Sequence, residues 1–392
     1  MSEPERGRST RGVHGPRPPQ EGPIASSIVP ASTFRFRTIA ELAAANAGEA
    51  RHDSFYTRYG NPNFTALEAR VADLEGAEAS LVFSTGMAAI AAVATTFLRP
   101  GTRLVATSDL YGGTIALFRE LLAPWGVEVV FTSDAADLER ACRGGAALVY
   151  VETPTNPLCR IVDLRRARDA ARIAGAPLAC DATFASPVNQ ATIAGGADLS
   201  IQSATKYLGG HADLMGGTVA GSAALIAKIE RVRRKTGGIP DPEQAWRIER
   251  SLKTLPLRVE RQNSNALALA RFLEGRRGIE RVWHCGLPSH PDHEIARRQM
   301  RGFGGMLSFD VAGGEPAARR FAEALQTIAI APSLGGVETL VSPPIHTSHA
   351  SMPLDERRRA GIADGTLRLS VGVEDVEDLV ADLARGLAAC AV

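Results

Sequence analysis

At 392 residues, with 44 basic and 43 acidic side chains and 45% hydrophobic content, the chain has the make-up of an ordinary globular protein long enough for two domains. A net charge of +1 excludes the basic excess that binding to nucleic acid or an anionic membrane surface would call for. The longest apolar stretch, around Ala88 to Leu98, is too short to span a bilayer, and no apolar leader is visible near the N-terminus. Five cysteines (142, 159, 180, 285 and 390) show neither CxxC nor a framework spacing, which fits reduced thiols in a cytoplasm.

Residues 1 to about 22 are rich in Pro, Gly and Arg and nearly free of large apolar side chains, so they read as a disordered or loosely draped arm. From about 66 to 220 short apolar runs alternate with helical patterns: SLVFS (80–84), RLVAT (103–107), VEVVF (127–131), ALVYV (147–151), PLACD (177–181), DLSIQ (198–202) and GTVAG (217–221). Continuous runs of this kind, separated by helices, predict a mostly parallel sheet covered on both faces, an α/β fold. After about 255 long helical stretches and a few strands (GGMLSFDVAG, TLRLSVGVE) predict a smaller α/β C-terminal domain.

In open parallel sheets ligands bind beyond the carboxyl ends of the strands. Here those ends carry Thr85-Gly86-Met87, Asp109 to Gly113, Glu152 to Asn156, Asp181, and Ser203 to Lys206. A helix start with two hydroxyls suits a phosphate. A strand-end carboxylate pairs with a protonated ring nitrogen, and a lysine in a confined pocket forms a Schiff base. An aromatic ring such as Tyr111 stacks on a planar cofactor. Those requirements together describe pyridoxal 5′-phosphate. Taken singly, each has a blander reading: Lys206 as a surface lysine, Asp181 as a turn residue, Arg368 as a strand-face salt bridge, Tyr56 and Arg58 as loop residues. Five polar strand ends in register favour one site.

The chain resembles the Cys/Met-metabolism family of pyridoxal-phosphate enzymes, which includes cystathionine γ-synthase, cystathionine γ-lyase, methionine γ-lyase and O-acetylhomoserine sulfhydrylase. The resemblance is carried by YTRYGNP (56–62), STGMAA (84–89), YGGT (111–114), ETPTNP (152–157), DATFASP (181–187), SATKYLGGHAD (203–213), SLGGVET (333–339) and LRLSVGVED (367–375). It implies fold type I of the PLP-dependent transferases, as in aspartate aminotransferase. The implied layout is an N-terminal arm (1–60) reaching the partner subunit's site, a cofactor domain (61–255) and a C-terminal domain (256–392). It also implies that Lys206 holds the cofactor and shuttles protons, and that Asp181 pairs with the ring nitrogen. Ser203, Thr205 and the Gly86 and Met87 amides would hold the phosphate, joined by Tyr56 and Arg58 of a neighbouring subunit. Tyr111 would stack on the ring and assist proton transfer, and Asn156 would contact the phenolic oxygen. Arg368, with Ser333 nearby, would clamp the substrate carboxylate.

The expected activity is γ-elimination or γ-replacement on a homoserine- or cysteine-derived amino acid in sulfur metabolism. Alternatives are a methionine γ-lyase or O-acetylhomoserine sulfhydrylase, a specialised biosynthetic γ-lyase, or a non-catalytic scaffold. A small amino acid is the expected partner, in a homo-oligomer with a dimer as the minimal unit and a tetramer as the family pattern. No nucleic acid, membrane or metal is expected, although SHPDHE and HTSHAS resemble zinc spacings. Departures from the family pattern fall at Ala116, Pro332, Gly113, Ala182 and Gln202, and suggest a less polar distal pocket than in cystathionine enzymes.

Overall fold

The structure, a computed structural model, describes residues 6–16, 22–48, 52–350 and 352–390. The apolar runs form β1 (Ala79–Phe83), β2 (Arg103–Thr107), β3 (Glu128–Thr132), β4 (Leu148–Glu152), β5 (Leu178–Asp181), β6 (Leu199–Gln202) and β7 (Gly217–Gly221), each within one residue of its predicted bounds. They order β1-β7-β6-β5-β4-β2-β3 in one sheet. From β6 to β3 all pairings are parallel. All five residues of β4 are buried. Its Leu148 and Tyr150 join Val93 and Phe118 on one face, while Val149 and Val151 join Leu138 and Leu164 on the other. With both faces covered by helices, the strand has no polar side to show.

β7 departs from the parallel pattern and runs antiparallel to both β1 and β6. Its glycines allow that insertion: a Cβ at Gly217 would lie 2.2 Å from the Thr85 carbonyl oxygen, and one at Gly221 would lie 2.6 Å from that of Asp198. The link from β6 to β7, residues 203–216, contains no helix, and it carries Lys206.

A second sheet contains β8 (Ile279–Trp283), β9 (Met306–Val311), β10 (Ala329–Ile330), β11 (Leu340–Ser342) and β12 (Thr366–Ser370), in the order β10-β11-β12-β9-β8. Its core joins Leu307, Phe309 and Leu369 to Phe321, Leu379 and Leu383 of the helices Gly314–Glu323 and Val376–Cys390. The helix Leu255–Leu273 links the two halves: Leu255 and Val259 pack with Phe64 and Tyr207, whereas Leu269 and Leu273 pack with the second sheet.

The draped-arm expectation is corrected for residues 8–14, which form the helix Arg8–His14; residues 1–5 and 17–21 lie outside the described residues. Polar contacts hold this helix where composition offers no apolar face. Arg11 pairs with Asp73 at 3.1 Å, and Arg70 donates to the Gly12 carbonyl at 2.6 Å. No helix among the described residues is long and apolar enough to cross a membrane.

Glu75, the last residue of the helix Pro62–Glu75, is buried and accepts a 2.9 Å hydrogen bond from the Gln202 amide. Burial pushes its carboxyl up to about 7. The folded state therefore holds a proton that the unfolded chain releases above its ordinary pKa of 4.5. Stability from this group is complete below that value and is lost as pH rises to about 7, by roughly 3 kcal/mol. Glu75→Gln is thus expected to match the parent at pH near 4.5 and to unfold at higher denaturant at pH 8, read as the gap between urea midpoints. An equal gap at both values would contradict this.

Candidate active site

The carboxyl ends of β1, β2, β4, β5 and β6 converge on a cavity of about 800 Å³, closed from the second half by residues 332–334, 346–348 and Arg368. Its lining includes Gly86, Met87, Tyr111, Asn156, Asp181, Ser203, Thr205, Lys206, Ser333 and Arg368. Ten of the twelve residues predicted for the site meet there. Tyr56 and Arg58 do not line the cavity of their own chain. Tyr56 is exposed, and Arg58 donates to the Arg234 carbonyl and stacks on Tyr59.

At one end of the cavity the helix Gly86–Phe97 begins, with Thr85 as N-cap accepting from the Ala88 amide at 3.0 Å. The Gly86 and Met87 amides have no partner among the described residues, so two N–H groups and the positive end of the helix dipole face the cavity. Ser203 closes against them: a Cβ at Gly86 would lie 2.9 Å from the Ser203 Cβ. Only glycine leaves room for this approach. Thr205 accepts from the Gly216 amide through its hydroxyl oxygen at 3.0 Å, which fixes the side chain on the wall.

On the floor lies Asp181, buried, with Oδ1 accepting from the Thr183 amide at 3.0 Å and its hydroxyl at 2.6 Å. Tyr150 donates to the other oxygen at 3.5 Å. Burial raises the Asp181 carboxyl, and the Thr183 and Tyr150 donors oppose that. Tyr111 stands over this floor with its ring half exposed, and its amide donates to the Glu152 carboxyl at 2.7 Å. A Cβ at Gly113 would lie 2.5 Å from Tyr111 Cε1, so the glycine gives the ring its lean.

Lys206 is half-buried, and its Nζ donates to the Ser333 hydroxyl at 2.7 Å. Burial, with a smaller contribution from the Arg368 charge, pulls the ammonium down to about 8. Ser333 has φ of +80°, a left-handed conformation rare for a residue with a side chain. Its carbonyl accepts from Arg368 Nη2 at 2.9 Å, and Nη1 donates to Asn156 Oδ1 at 3.0 Å. Arg368 is buried, pushed down to about 10 by desolvation, and its Nε has no partner. Among the described residues no carboxylate pairs with it. A buried guanidinium without an anion is a costly arrangement that a bound carboxylate would offset.

Four features were not assigned from the sequence. Glu152 was visible only as a polar strand end, while Thr183, His346 and the Thr347–Ser348 pair drew no role. The hydroxyl two residues after Asp181 is the signal that would have found Thr183, because Asp side chains accept from the backbone two residues on. The zinc-like spacings are spent on structure. Asp292 pairs with Arg160 at 2.6 Å, His290 contacts the Leu158 carbonyl at 3.3 Å, and His346 bonds Glu315 at 2.7 Å. No group of three or more metal-ligating side chains occurs among the described residues.

An anion cradle, a buried acid, a stackable ring and a lysine of lowered basicity fit pyridoxal 5′-phosphate and define a pyridoxal-phosphate enzyme. The chain matches the family described as Cys/Met metabolism PLP-dependent enzyme over residues 9–388, and it belongs to that family. It is 41% identical over 377 residues to an O-succinylhomoserine sulfhydrylase of Pseudomonas aeruginosa, covering 96% of this chain and 93% of that one. It is 44% identical to a cystathionine gamma-lyase of Bacillus subtilis (85% and 88% covered) and 40% identical to an L-methionine gamma-lyase of Pseudomonas putida (98% of each). Its fold is similar to a crystal structure of cystathionine gamma synthase from Xanthomonas oryzae pv. oryzae in complex with cystathionine, with a TM-score of 0.92, 38% identity and 98% of both chains covered.

Proposed function

We propose that the chain catalyses γ-elimination or γ-replacement on an amino acid derived from homoserine or cysteine. The observation that carries this reading is Ser333, whose hydroxyl meets Lys206 Nζ at 2.7 Å and whose carbonyl meets Arg368 at 2.9 Å. One residue thus spaces the amine that reacts from the cation that holds a carboxylate, as an α-amino acid requires.

Bound pyridoxal phosphate supplies the electron sink that makes the protons at Cα and Cβ removable. The Gly86 and Met87 amides, Ser203 and Thr205 would hold its phosphate, and Asp181 would keep its ring nitrogen protonated. Arg368 orients the substrate carboxylate, and Asn156 orients Arg368. Lys206 would carry protons between adjacent carbons of the substrate, and Tyr111 would assist. The relatives' names span both outcomes, a sulfhydrylase for replacement and gamma-lyases for elimination.

The arm 1–60, the cofactor unit 61–255 and the unit 256–392 form the proposed domain plan. The helix that starts at Leu255, between the two sheets, supports the second boundary. A homodimer is the proposed minimal unit, extended to a tetramer, with Tyr56 and Arg58 serving the partner's phosphate. Their exclusion from their own cavity supports this, as does the exposure of Ile24, Ile39 and Leu42 along the arm. A cytoplasmic setting is proposed because all five cysteines are free.

The test is release of 2-oxobutanoate from L-cystathionine, L-methionine and O-acetyl-L-homoserine, each with and without an added thiol. Loss of the γ-substituent from at least one substrate is expected, as 2-oxobutanoate or as a new thioether. A keto acid that retains the γ-substituent would instead indicate an aminotransferase and overturn the reading.

A further inference from the structure

Two carboxyls lie side by side beneath the cavity. Glu152 at the end of β4 and Asp181 at the end of β5 are register partners in a parallel pair, and both are buried. Among the described residues no cation forms an ion pair with either. Two carboxylates in such a place cannot both stay ionised, because each loses hydration and repels the other.

Their donors differ. Asp181 receives the Thr183 amide and hydroxyl on one oxygen and the Tyr150 hydroxyl on the other, so three donors favour its charged form. Glu152 receives two backbone amides, that of Tyr111 at 2.7 Å and that of Asn156, and no side-chain donor. The other titratable groups around Glu152 are Asp109, Tyr150 and Cys180, none of which is a cation. Desolvation first and the Asp181 charge second hold the Glu152 carboxyl well above its ordinary range.

We propose that Glu152 is a positioning residue that works as a neutral carboxylic acid, anchoring the Tyr111 backbone while leaving Asp181 as the single carboxylate under the cofactor. This rests on the assignment of the cavity to pyridoxal phosphate. It gives the site one negative charge where two strand ends offer two, so the ring nitrogen has one defined counter-ion. Asp181 is the anion; Glu152 is the strut.

The test uses full-length protein freed of cofactor and titrated with pyridoxal phosphate, following tryptophan quenching and the pH midpoint of the bound cofactor's visible absorbance. Glu152→Ala, which frees the Tyr111 amide, is expected to weaken cofactor binding about tenfold or more. Glu152→Gln keeps an acceptor for that amide without a charge, and is expected to restore affinity to within about threefold and the absorbance midpoint to within about 0.5 pH unit. Asp181→Asn, equally isosteric, is expected to lose what Glu152→Gln retains. A shift of about one unit or a tenfold loss in Glu152→Gln would mean that Glu152 bears a charge, and would overturn the proposal. So would equal losses in the two isosteric variants. The glutamine arm decides even where the alanine variant fails to fold. A parent chain that takes up no pyridoxal phosphate would instead defeat the cofactor assignment, a distinct outcome.

Discussion

Replacing Lys206 by alanine is expected to lower turnover by about 10⁴-fold while leaving the fold and the phosphate cradle in place. The side chain has two proposed duties, as covalent attachment point and as proton carrier, and no neighbour can take over both. Arg368 also lines the cavity, but its guanidinium is buried and committed to Asn156 and the Ser333 carbonyl. The alanine variant should still retain pyridoxal phosphate non-covalently, because Gly86, Met87, Ser203, Thr205 and Asp181 are untouched. Turnover assayed in parallel with cofactor content separates the two effects. Activity within about tenfold of the parent would remove Lys206 from the chemistry.

Arg368→Ala is expected to reduce kcat/KM by about 10³-fold, carried mostly by KM. The alanine removes the charge proposed to meet the substrate carboxylate and leaves Asn156 Oδ1 and the Ser333 carbonyl without their donors. Each charge-assisted bond is worth roughly 1.5–3 kcal/mol, so losing a paired contact accounts for a change of that order. Arg368→Lys should recover little, because a single ammonium cannot bond Asn156, Ser333 and a carboxylate together as a planar fork does. A substrate amide in place of the acid should lose as much in the parent and little in the variant. Steady-state kinetics on both substrates checks this, and an unchanged KM would place the carboxylate elsewhere.

The large sheet was legible because strands buried on both faces are written as unbroken apolar runs, of which β4 is the plainest example. The reversed direction of β7 was not, since GTVAG reads alike in a parallel or an antiparallel pairing and the two clashes its glycines avoid are tertiary. The short strands β10 and β11 and the edge strand β8 escaped because a few residues give no usable period. The helix Arg8–His14 escaped for a different reason: it is held by Asp73 and by the arginine at position 70, far along the chain.

The site followed the same division. Strand-end residues announced themselves because a buried sheet has few reasons to end in Asp181 or in the Ser203–Lys206 run. Ser333 and Arg368 needed the family motifs, since a loop serine and a strand arginine are common and only the folded chain brings them to Lys206. The relation of Glu152 to Asp181 required the β4–β5 register, which no run of residues encodes. Single positions speak for themselves; pairs across strands do not.

The most direct test of the central claim is borohydride reduction of the purified protein after incubation with pyridoxal phosphate, followed by peptide mass analysis. The expected result is one pyridoxyl-modified peptide, the segment containing SATKYLGGH, with the added mass on Lys206. Modification spread over surface lysines, or none at residue 206, would contradict the assignment of this cavity.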